Sequence, residues 1–420
     1  MEPKTPLIFD WNAAGAVSRP AHTPVDLVDE TLRDGLQSPS VRNPRFEQKV
    51  ELLRLMARLG MDTATIGLPG AGEPFAKEGE RLVRVMASEK LAVRPAFAAR
   101  TLESDIRPIV EIAQRTGVAP DVNCFLGSSP IRCYAEDWTL DRLLAMTEEA
   151  IALCVREGLP VLYVTEDSTR ARPEDLAAMY RTAIRAGARR ICVCDTVGHA
   201  TPAGTRALLS FIWGVVRDTD PDVRIDWHGH QDRGLGVVNS IAALDAGAHR
   251  VHACALGIGE RVGNTPMDQL LVNLELMGWV ERDLSALPEY VRLTSVATGV
   301  PIASNYPFFG RDAFRTSTGV HAAAILKARR KGDEWLADRV YSGVPSALFG
   351  RRQEIEVGPM SGESNVVSWL AARGYEPFPF RVEAILTAAK SSDRVLSDDE
   401  VDSILSAAEG GWPRLVRRAK

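Results

Sequence analysis

Several features that define other protein classes are missing from this 420-residue sequence. No stretch reaches about 18 apolar residues, the length that predicts a membrane-spanning helix. Residues 1–20 contain no basic segment followed by an apolar run, so we expect no secretory signal peptide. The net charge is only −5, which gives no electrostatic reason to expect a nucleic acid or an anionic membrane as a partner.

Cysteine is scarce and scattered. The six cysteines are Cys124, Cys133, Cys154, Cys192, Cys194 and Cys254. Disulfide frameworks are typical of short secreted chains, so we interpret these residues as reduced core thiols of a cytoplasmic protein. Cys192 and Cys194 lie on one face of a predicted strand, but no second cysteine pair completes a zinc site.

Short apolar segments alternate with amphipathic ones over most of the chain. Predicted strands are Val25–Asp29, Thr63–Gly67, Val93–Ala98, Val122–Gly127, Val161–Glu166, Arg190–Asp195, Val223–His228 and Arg250–Leu256. Helical patterns separate them, at residues 44–60, 76–90, 105–116, 140–157, 173–186, 202–216, 236–246 and 266–276. Eight strand–helix units over about 250 residues predict a closed (β/α)₈ TIM barrel. A doubly wound sheet with a second domain is the alternative.

The alternation stops after about residue 283. Helices are predicted at 284–299, 319–331, 382–389 and 398–408, and residues 342–363, rich in Gly, Pro and Ser, are predicted to be irregular. We therefore divide the chain into an N-terminal extension (1–24), a barrel (25–280) and a mostly helical C-terminal appendage (281–420). We expect the appendage to cover the barrel mouth or to bind a second subunit.

Chemistry in such a barrel lies at the C-terminal ends of the strands. His228 and His230 follow the seventh strand, and with a spacing of two on an extended chain both imidazoles point the same way. Asp34 follows the first strand, which closure of the barrel brings near the seventh. Two imidazoles and a carboxylate are a common ligand set for a divalent metal, to which Asn264 can add an oxygen. The alternative is that both histidines are structural, as we expect for His22, His249 and His252. For His199, near the same rim, we expect a structural role or one that supports the ligands.

Three motifs resemble one family. The first motif is Glu30-Thr31-Leu32-Arg33-Asp34-Gly35-Leu36-Gln37. The second combines His228-Gly229-His230-Gln231-Asp232-Arg233-Gly234 with Gly257-Ile258-Gly259-Glu260-Arg261-Val262-Gly263-Asn264. The third is Ser317-Thr318-Gly319-Val320-His321. They are similar to signatures of the metal-dependent barrel enzymes that include isopropylmalate synthase, homocitrate synthase, citramalate synthase and hydroxymethylglutaryl-CoA lyase. The resemblance implies an alkylmalate synthase, which condenses acetyl-CoA with a 2-oxo acid.

The resemblance also implies the role of each residue. Asp34, His228, His230 and Asn264 would hold Mg, Mn or Zn. Arg33 would stabilise developing negative charge, and Thr196, with Gln37 and Arg33, would bind the 2-oxo acid. Glu166 and His321 would be the acid and base for the acetyl methyl group, with His321 supplied by the appendage or by a partner subunit of a homodimer. For Glu166 the alternative is a salt-bridged rim carboxylate, and for His321 a helix residue without a chemical role.

The identity of the 2-oxo acid is the open point. We rank 2-oxoisovalerate first, giving 2-isopropylmalate and a place in leucine biosynthesis. Arg132 could instead clamp the second carboxylate of 2-oxoglutarate, as a homocitrate synthase requires, or meet the CoA phosphates. The chain ends at Lys420, so we expect no C-terminal leucine-binding regulatory domain.

Two other classes of function compete: a lyase or carboxyltransferase on the same barrel, and a non-catalytic binding or scaffold protein. A lyase of the same family would carry a cysteine in the loop after strand eight, but Gly257-Ile258-Gly259-Glu260-Arg261 has none. A carboxyltransferase would carry a metal-bridging lysine on a strand, and none stands at the end of strand five or six. A non-catalytic scaffold protein would not be expected to retain Arg33, Asp34, Glu166, His228, His230 and His321 together.

Overall fold

The computed structural model describes residues 7–14 and 24–410, and His22 lies outside these ranges. Eight parallel strands close into a barrel in the order β1 to β8, each hydrogen-bonded to the next and β8 to β1. The strands are β1 (Asp26–Asp29), β2 (Thr63–Thr65), β3 (Arg94–Arg100), β4 (Asp121–Gly127), β5 (Val161–Glu166), β6 (Arg190–Asp195), β7 (Arg224–Gly229) and β8 (Arg250–Ala253). The predicted (β/α)₈ TIM barrel with a helical C-terminal part is therefore confirmed.

Helices follow the strands, except for a short first helix that precedes β1. In chain order they are α1 (Trp11–Ala14), α2 (Phe46–Arg58), α3 (Glu73–Ser88), α4 (Glu103–Thr116), α5 (Pro130–Glu136), α6 (Leu140–Arg156), α7 (Pro173–Arg185), α8 (Pro202–Thr219), α9 (Gly236–Asp245), α10 (Met267–Leu276) and α11 (Leu287–Thr298). Each long helix buries one face: in α2, Leu52, Leu53 and Met56 are buried, whereas Arg54 and Arg58 are exposed. This spacing of three and four residues is the amphipathic pattern that predicted these helices.

Two compact units divide the chain, and the first extends to Pro301, beyond the boundary at residue 280 predicted from the sequence. Helix α11 accounts for the difference, because it packs against α2 of the barrel and buries Leu287, Tyr290 and Val291.

The second unit begins at Ile302 and is mostly helical. It contains α12 (Gly319–Arg330), α13 (Glu334–Arg339), α14 (Glu363–Ala372), α15 (Pro379–Lys390) and α16 (Asp398–Glu409), with two short paired strands, β9 (Arg315–Thr316) and β10 (Glu354–Ile355). Its main core joins α14, α15 and α16 around Val366, Trp369, Leu370, Ile385 and Leu405. Among the described residues, no helix combines the length and apolar character needed to cross a membrane.

The centre of the barrel is unusually polar. Barrel interiors are commonly filled with branched apolar side chains. Here Glu30, Asp226, Arg250 and His252 are each at most 3% exposed. Strand pairing brings them together, since His252 on β8 is opposite Val28 on β1 and His228 on β7. Charged groups at this depth must be paired with one another, because an unpaired buried charge is strongly destabilising.

The buried carboxyl group of Asp29 links α11 to β1. The hydroxyl of Tyr290 donates to the carboxylate of Asp29, which also accepts from the backbone N–H of Thr31 at 2.8 Å. Burial raises the pKa of Asp29 to about 6, although these hydrogen bonds favour its charged form. Asp29 therefore holds its proton more tightly in the folded protein than in the unfolded chain.

We expect Asp29→Asn to stabilise the protein relative to wild type as pH rises. Protonated Asp29 stabilises the fold below its ordinary pKa near 4, and this contribution is lost as pH rises to about 6. Asparagine does not titrate, so the difference in free energy of unfolding should grow by roughly 2 kcal/mol between pH 4 and pH 7. Urea unfolding at several pH values measures it. Asp402→Asn, at an exposed position, is the control, and a pH-independent difference for Asp29→Asn would contradict the assignment.

Candidate metal centre and active site

A cavity of about 610 Å³ lies in the barrel unit. Its lining includes residues at or just after the C-terminal ends of the strands, where the chemistry was expected. The lining residues are Glu30, Arg33, Asp34, Gln37, Leu68, Ala98, Asn123, Phe125, Ile131, Arg132, Ala135, Val164, Glu166, Asp167, Arg170, Cys192, Cys194, Thr196, Val197, His228, His230, His252, Glu260 and Arg261. A volume of this size is in the ordinary range for a small-molecule site.

Most of the site residues predicted from the sequence meet in this cavity. The structure brings together Arg33, Asp34, Gln37, Arg132, Glu166, Thr196, His228 and His230. Asn264 is 1% exposed and is not among the lining residues. His321 belongs to the second unit, on α12, where it is half-buried and stacks on Tyr341 with ring centroids 3.9 Å apart.

Asp34, His228 and His230 form a compact group of possible metal ligands. The two Nε2 atoms lie 3.2 Å apart, and Oδ2 of Asp34 lies 3.4 Å from Nε2 of His228 and 3.7 Å from Nε2 of His230. Ligand atoms bound to one divalent ion at about 2.1 Å are roughly 3.0–3.5 Å from one another. The three side chains therefore fit a divalent metal.

Glu30, His228 and His252 form a second group with ligand-like spacing. The two groups differ in how fully their ligand atoms are already hydrogen-bonded. Oε1 of Glu30 accepts from Thr65 and faces His252, and Oε2 accepts from Arg33, so the second group is already saturated. In the first group, Nε2 of His228, Nε2 of His230 and Oδ2 of Asp34 face one another, and the only other side-chain contact described for these atoms is the 3.3 Å ion pair of Oδ2 with Arg33. These less saturated ligand atoms make the first group the better candidate for a metal site.

Asn264 is hydrogen-bonded to the carboxylate of the first group, Asp34, Oδ1 of which is not one of the ligand atoms described above. Its side-chain nitrogen donates to Oδ1 of Asp34 at 3.0 Å and to the carbonyl of Ile258 at 3.1 Å, while its own Oδ1 is buried without a partner. Gly259 makes room for it, because a Cβ at that position would lie 2.1 Å from the amide nitrogen of Asn264. Asn264 thus orients the carboxylate in this structure, and coordination of a metal by its oxygen remains a prediction.

The protonation states suit metal binding. Burial opposes ionisation of Asp34, but the charge of Arg33 and the contacts with His228 and His230 hold its pKa well below the usual range. Burial, together with the neighbouring His228, lowers the pKa of His230 to about 4. Near pH 7, Asp34 is therefore an anion and His230 is neutral, which are the forms that coordinate a cation.

Glu166 has the properties of a general base. It is the last residue of β5 and lines the cavity. Burial raises its pKa, although the charges of Arg132 and Arg33 act in the opposite direction. A carboxylate with a raised pKa is a stronger proton acceptor near neutral pH than an ordinary surface glutamate.

Thr196 and Arg132, both predicted to bind substrate, make different contacts at the cavity. The hydroxyl of Thr196 accepts from the backbone N–H of Asp167 at 2.8 Å, which leaves its own proton for a ligand. Arg132 lies in the first turn of the short helix α5, where its backbone N–H donates to the hydroxyl of Ser129, the capping residue, at 3.4 Å. The Arg132 side chain is 49% exposed and is paired with Glu136 at 3.1 Å.

Sequence reasoning missed several residues of this region. Glu30 and His252 line the cavity, although His252 was expected to be only structural. Arg261 also lines it, bound to Asp232 through Nε at 2.7 Å. The motifs contained Glu30 and Arg261, but no local signal distinguished their roles.

A family profile described as HMGL-like matches residues 24–294. This chain belongs to the HMGL-like family. Curated relatives from Methanopyrus kandleri are a probable 2-isopropylmalate synthase, 31% identical over 87% of this chain and 69% of the relative, and a homocitrate synthase, 32% identical over 87% of each. A homocitrate synthase of Saccharolobus solfataricus is 29% identical over 94% of this chain and 81% of its own length. The family resemblance read from the motifs is therefore confirmed.

Solved structures agree on the fold. The hydroxymethylglutaryl-CoA lyase of Pseudomonas aeruginosa matches with a TM-score of 0.55 and 21% identity, covering 65% of this chain and 93% of the lyase. The corresponding lyase of Brucella melitensis matches with a TM-score of 0.54 and 17% identity, covering 65% and 98%. At such identities the likeness concerns the barrel and not the reaction.

We expect His230→Ala to weaken Mn²⁺ binding by more than about 100-fold, because even outer-shell partners of metal ligands contribute 10–100-fold. Free Mn²⁺ is measured by electron paramagnetic resonance during a titration at pH 7. His199→Ala, at an exposed position outside the cavity lining, is the matched control and should bind like wild type. Equal affinity of His230→Ala and wild type would rule out this ligand set.

Proposed function

We propose that this protein is an acyltransferase of the alkylmalate synthase type, which condenses acetyl-CoA with a 2-oxo acid and releases CoA. The observation that carries the proposal is the meeting of Asp34, His228 and His230 with Arg33 and Glu166 in one cavity. The curated relatives named as isopropylmalate and homocitrate synthases support it.

The reaction requires a base and a site for negative charge. Glu166 takes a proton from the acetyl methyl group, and the resulting carbanion attacks the carbonyl carbon of the 2-oxo acid to form a carbon–carbon bond. The carbonyl oxygen becomes an alkoxide, and the proton that Glu166 accepted balances its conversion to a hydroxyl group. Water finally cleaves the thioester, which releases CoA and a 2-hydroxy acid with one carboxyl group more than the 2-oxo acid. The methyl group is a weak acid, so a positioned base and a nearby cation are both needed.

The remaining residues bind and orient the 2-oxo acid. Asp34, His228 and His230 would hold a divalent ion, Mg, Mn or Zn, that polarises the carbonyl group as a Lewis acid. The guanidinium of Arg33 stabilises the developing oxyanion, and the hydroxyl of Thr196 donates to the substrate carboxylate. Gln37 lines the same cavity beside Arg33. For His321, in the second unit, the role of acid or base remains a prediction.

We propose 2-oxoisovalerate as the 2-oxo acid, which would make the product 2-isopropylmalate. Leu68, Ala98, Phe125 and Val164 provide an apolar part of the cavity lining that suits a branched hydrocarbon group. 2-Oxoglutarate is the second candidate, because Arg132 lines the cavity and could pair with a further carboxylate.

A thiol-release assay tests the reaction. Acetyl-CoA is offered with 2-oxoisovalerate, 2-oxoglutarate, pyruvate and longer 2-oxo acids, with Mn²⁺ or Mg²⁺ and with a chelator. We expect metal-dependent CoA release, fastest with 2-oxoisovalerate. Fastest release with 2-oxoglutarate, abolished by Arg132→Leu, would instead support the second candidate. Absence of CoA release with every 2-oxo acid would rule out the synthase.

We expect Glu166→Gln to lower kcat by about 10²–10⁴-fold, the usual contribution of a general base. In wild type, kcat/KM should fall at low pH as Glu166 becomes protonated, at a pH above the ordinary range of glutamate because burial raises its pKa. Measured from pH 5 to 9, this acidic limb should disappear in Glu166→Gln. Glu174→Gln, at an exposed position outside the cavity lining, is the control. Retention of more than a tenth of kcat by Glu166→Gln would argue against this base.

A further inference from the structure

We propose that Glu30 is a positioning residue that fixes the guanidinium of Arg33, and that Thr65 and His252 fix Glu30 in turn. This inference rests on the proposed function, because it concerns how the residue that stabilises the oxyanion is held. Glu30 has no part in the ligand set or in proton transfer as described above.

The contacts of Arg33 show which partner dominates. Oε2 of Glu30 accepts from Nε of Arg33 at 2.9 Å and from Nη2 at 2.6 Å. The other side-chain contacts of Arg33 that the structure describes are longer, 3.3 Å to Oδ2 of Asp34 and 3.4 Å to Oε1 of Gln37. Charge-assisted hydrogen bonds of the shorter kind are the stronger ones. Glu30 therefore sets the position of the guanidinium more than Asp34 or Gln37 does.

Glu30 itself has little freedom. Its carboxylate is 1% exposed, and its second oxygen, Oε1, accepts from the hydroxyl of Thr65 at 3.0 Å and lies 3.1 Å from Nδ1 of His252. Burial opposes its ionisation, yet the charge of Arg33 and the contact with His252 lower the pKa of Glu30 to about 2. Glu30 is thus a fixed anion tied to β2 and β8.

The chain of contacts continues across the barrel. Nε2 of His252 lies 3.2 Å from Oδ2 of Asp226. Asp226 accepts from Arg250 at 2.7 Å and from Arg190 at 2.6 Å. Strands β8, β7 and β6 therefore anchor the residue that holds Arg33. Glu30, His252, Asp226 and Arg250 in this network are each at most 3% exposed. A contiguous buried network of this kind is more rigid than an isolated pair.

A fixed guanidinium has a clear catalytic value. Arginine has a long side chain with many rotamers, and only a firmly held fork offers its donors in one geometry. Misplacement by about 1 Å can lower a rate by about 100-fold. Glu30 would thus supply the preorganisation on which oxyanion stabilisation depends.

Glu30→Gln tests the inference, since glutamine keeps the size of the side chain but not its charge. We expect kcat to fall by about 10–100-fold, with KM for the 2-oxo acid and the Mn²⁺ affinity changed by less than about 3-fold. A double-mutant cycle with Arg33→Gln then shows whether the loss of kcat in Glu30→Gln is transmitted through Arg33. If Glu30 acts through Arg33, adding Glu30→Gln to Arg33→Gln should lower kcat by less than about 2-fold. Full additivity would overturn the proposal.

Asp105→Asn is the matched control. Asp105 is also a buried carboxylate that binds an arginine through two hydrogen bonds, accepting from Nε and Nη2 of Arg100 at 2.8 Å each, but neither residue lines the cavity. We expect this variant to lose thermal stability and to keep kcat. An equal loss of kcat in Asp105→Asn would indicate that Glu30→Gln acts only through general destabilisation.

Two further measurements keep the test decisive. If Glu30→Gln does not fold, Thr65→Val removes one anchor of Glu30 and should lower kcat several-fold with unchanged KM. A crystal structure of Glu30→Gln, or of Thr65→Val in that case, should show Arg33 displaced or in several conformers. An unmoved Arg33 would overturn the inference. The crystallographic result does not depend on CoA release, so failure of the proposed reaction and failure of the positioning role are distinguishable.

Discussion

The arrangement of charges at the barrel mouth depends on one guanidinium, that of Arg33, held between two buried carboxylates. Arg33 binds Glu30 on one side and approaches Asp34 on the other. Its charge is a main reason that both acids remain ionised despite burial. An ionised Asp34 can in turn share a cation with the imidazoles of His228 and His230. Removal of the guanidinium would take a positive charge away from two desolvated carboxylates, which is strongly destabilising.

Closure of the barrel makes this arrangement possible. Residues 34 and 228 are far apart in the chain, yet β1 pairs with β8 and β8 pairs with β7. The same pairing places His252 between the residues that follow β1 and those on β7. The polar interior thus joins the metal-ligand group at the mouth to a network of ion pairs deeper in the barrel. Stability and catalytic geometry share the same buried charges.

Most of the fold was predictable, and the errors have physical causes. The alternation of short apolar and longer amphipathic segments predicted the eight strands, because parallel strands buried on both faces are short and nearly all apolar. Helices α5 and α13 were missed because each spans only two turns or less. Helix α14 was missed because its residues Ser364, Asn365 and Val366 have low helix propensity. The first compact unit extends to Pro301 because α11 packs against the barrel, and α11 carries no sequence mark that assigns it there.

The family, the order of the elements and the side chains that could meet at the strand ends were predictable from the chain alone, because residue type, a spacing of two and chain order are local properties. Folding was needed to show which of the two histidine–carboxylate groups has its ligand atoms saturated by hydrogen bonds, that Asn264 orients Asp34, and that Glu30 and His252 line the cavity. The reason is that hydrogen-bond saturation and desolvation arise between strands distant in the chain, and they exist only once the barrel has closed.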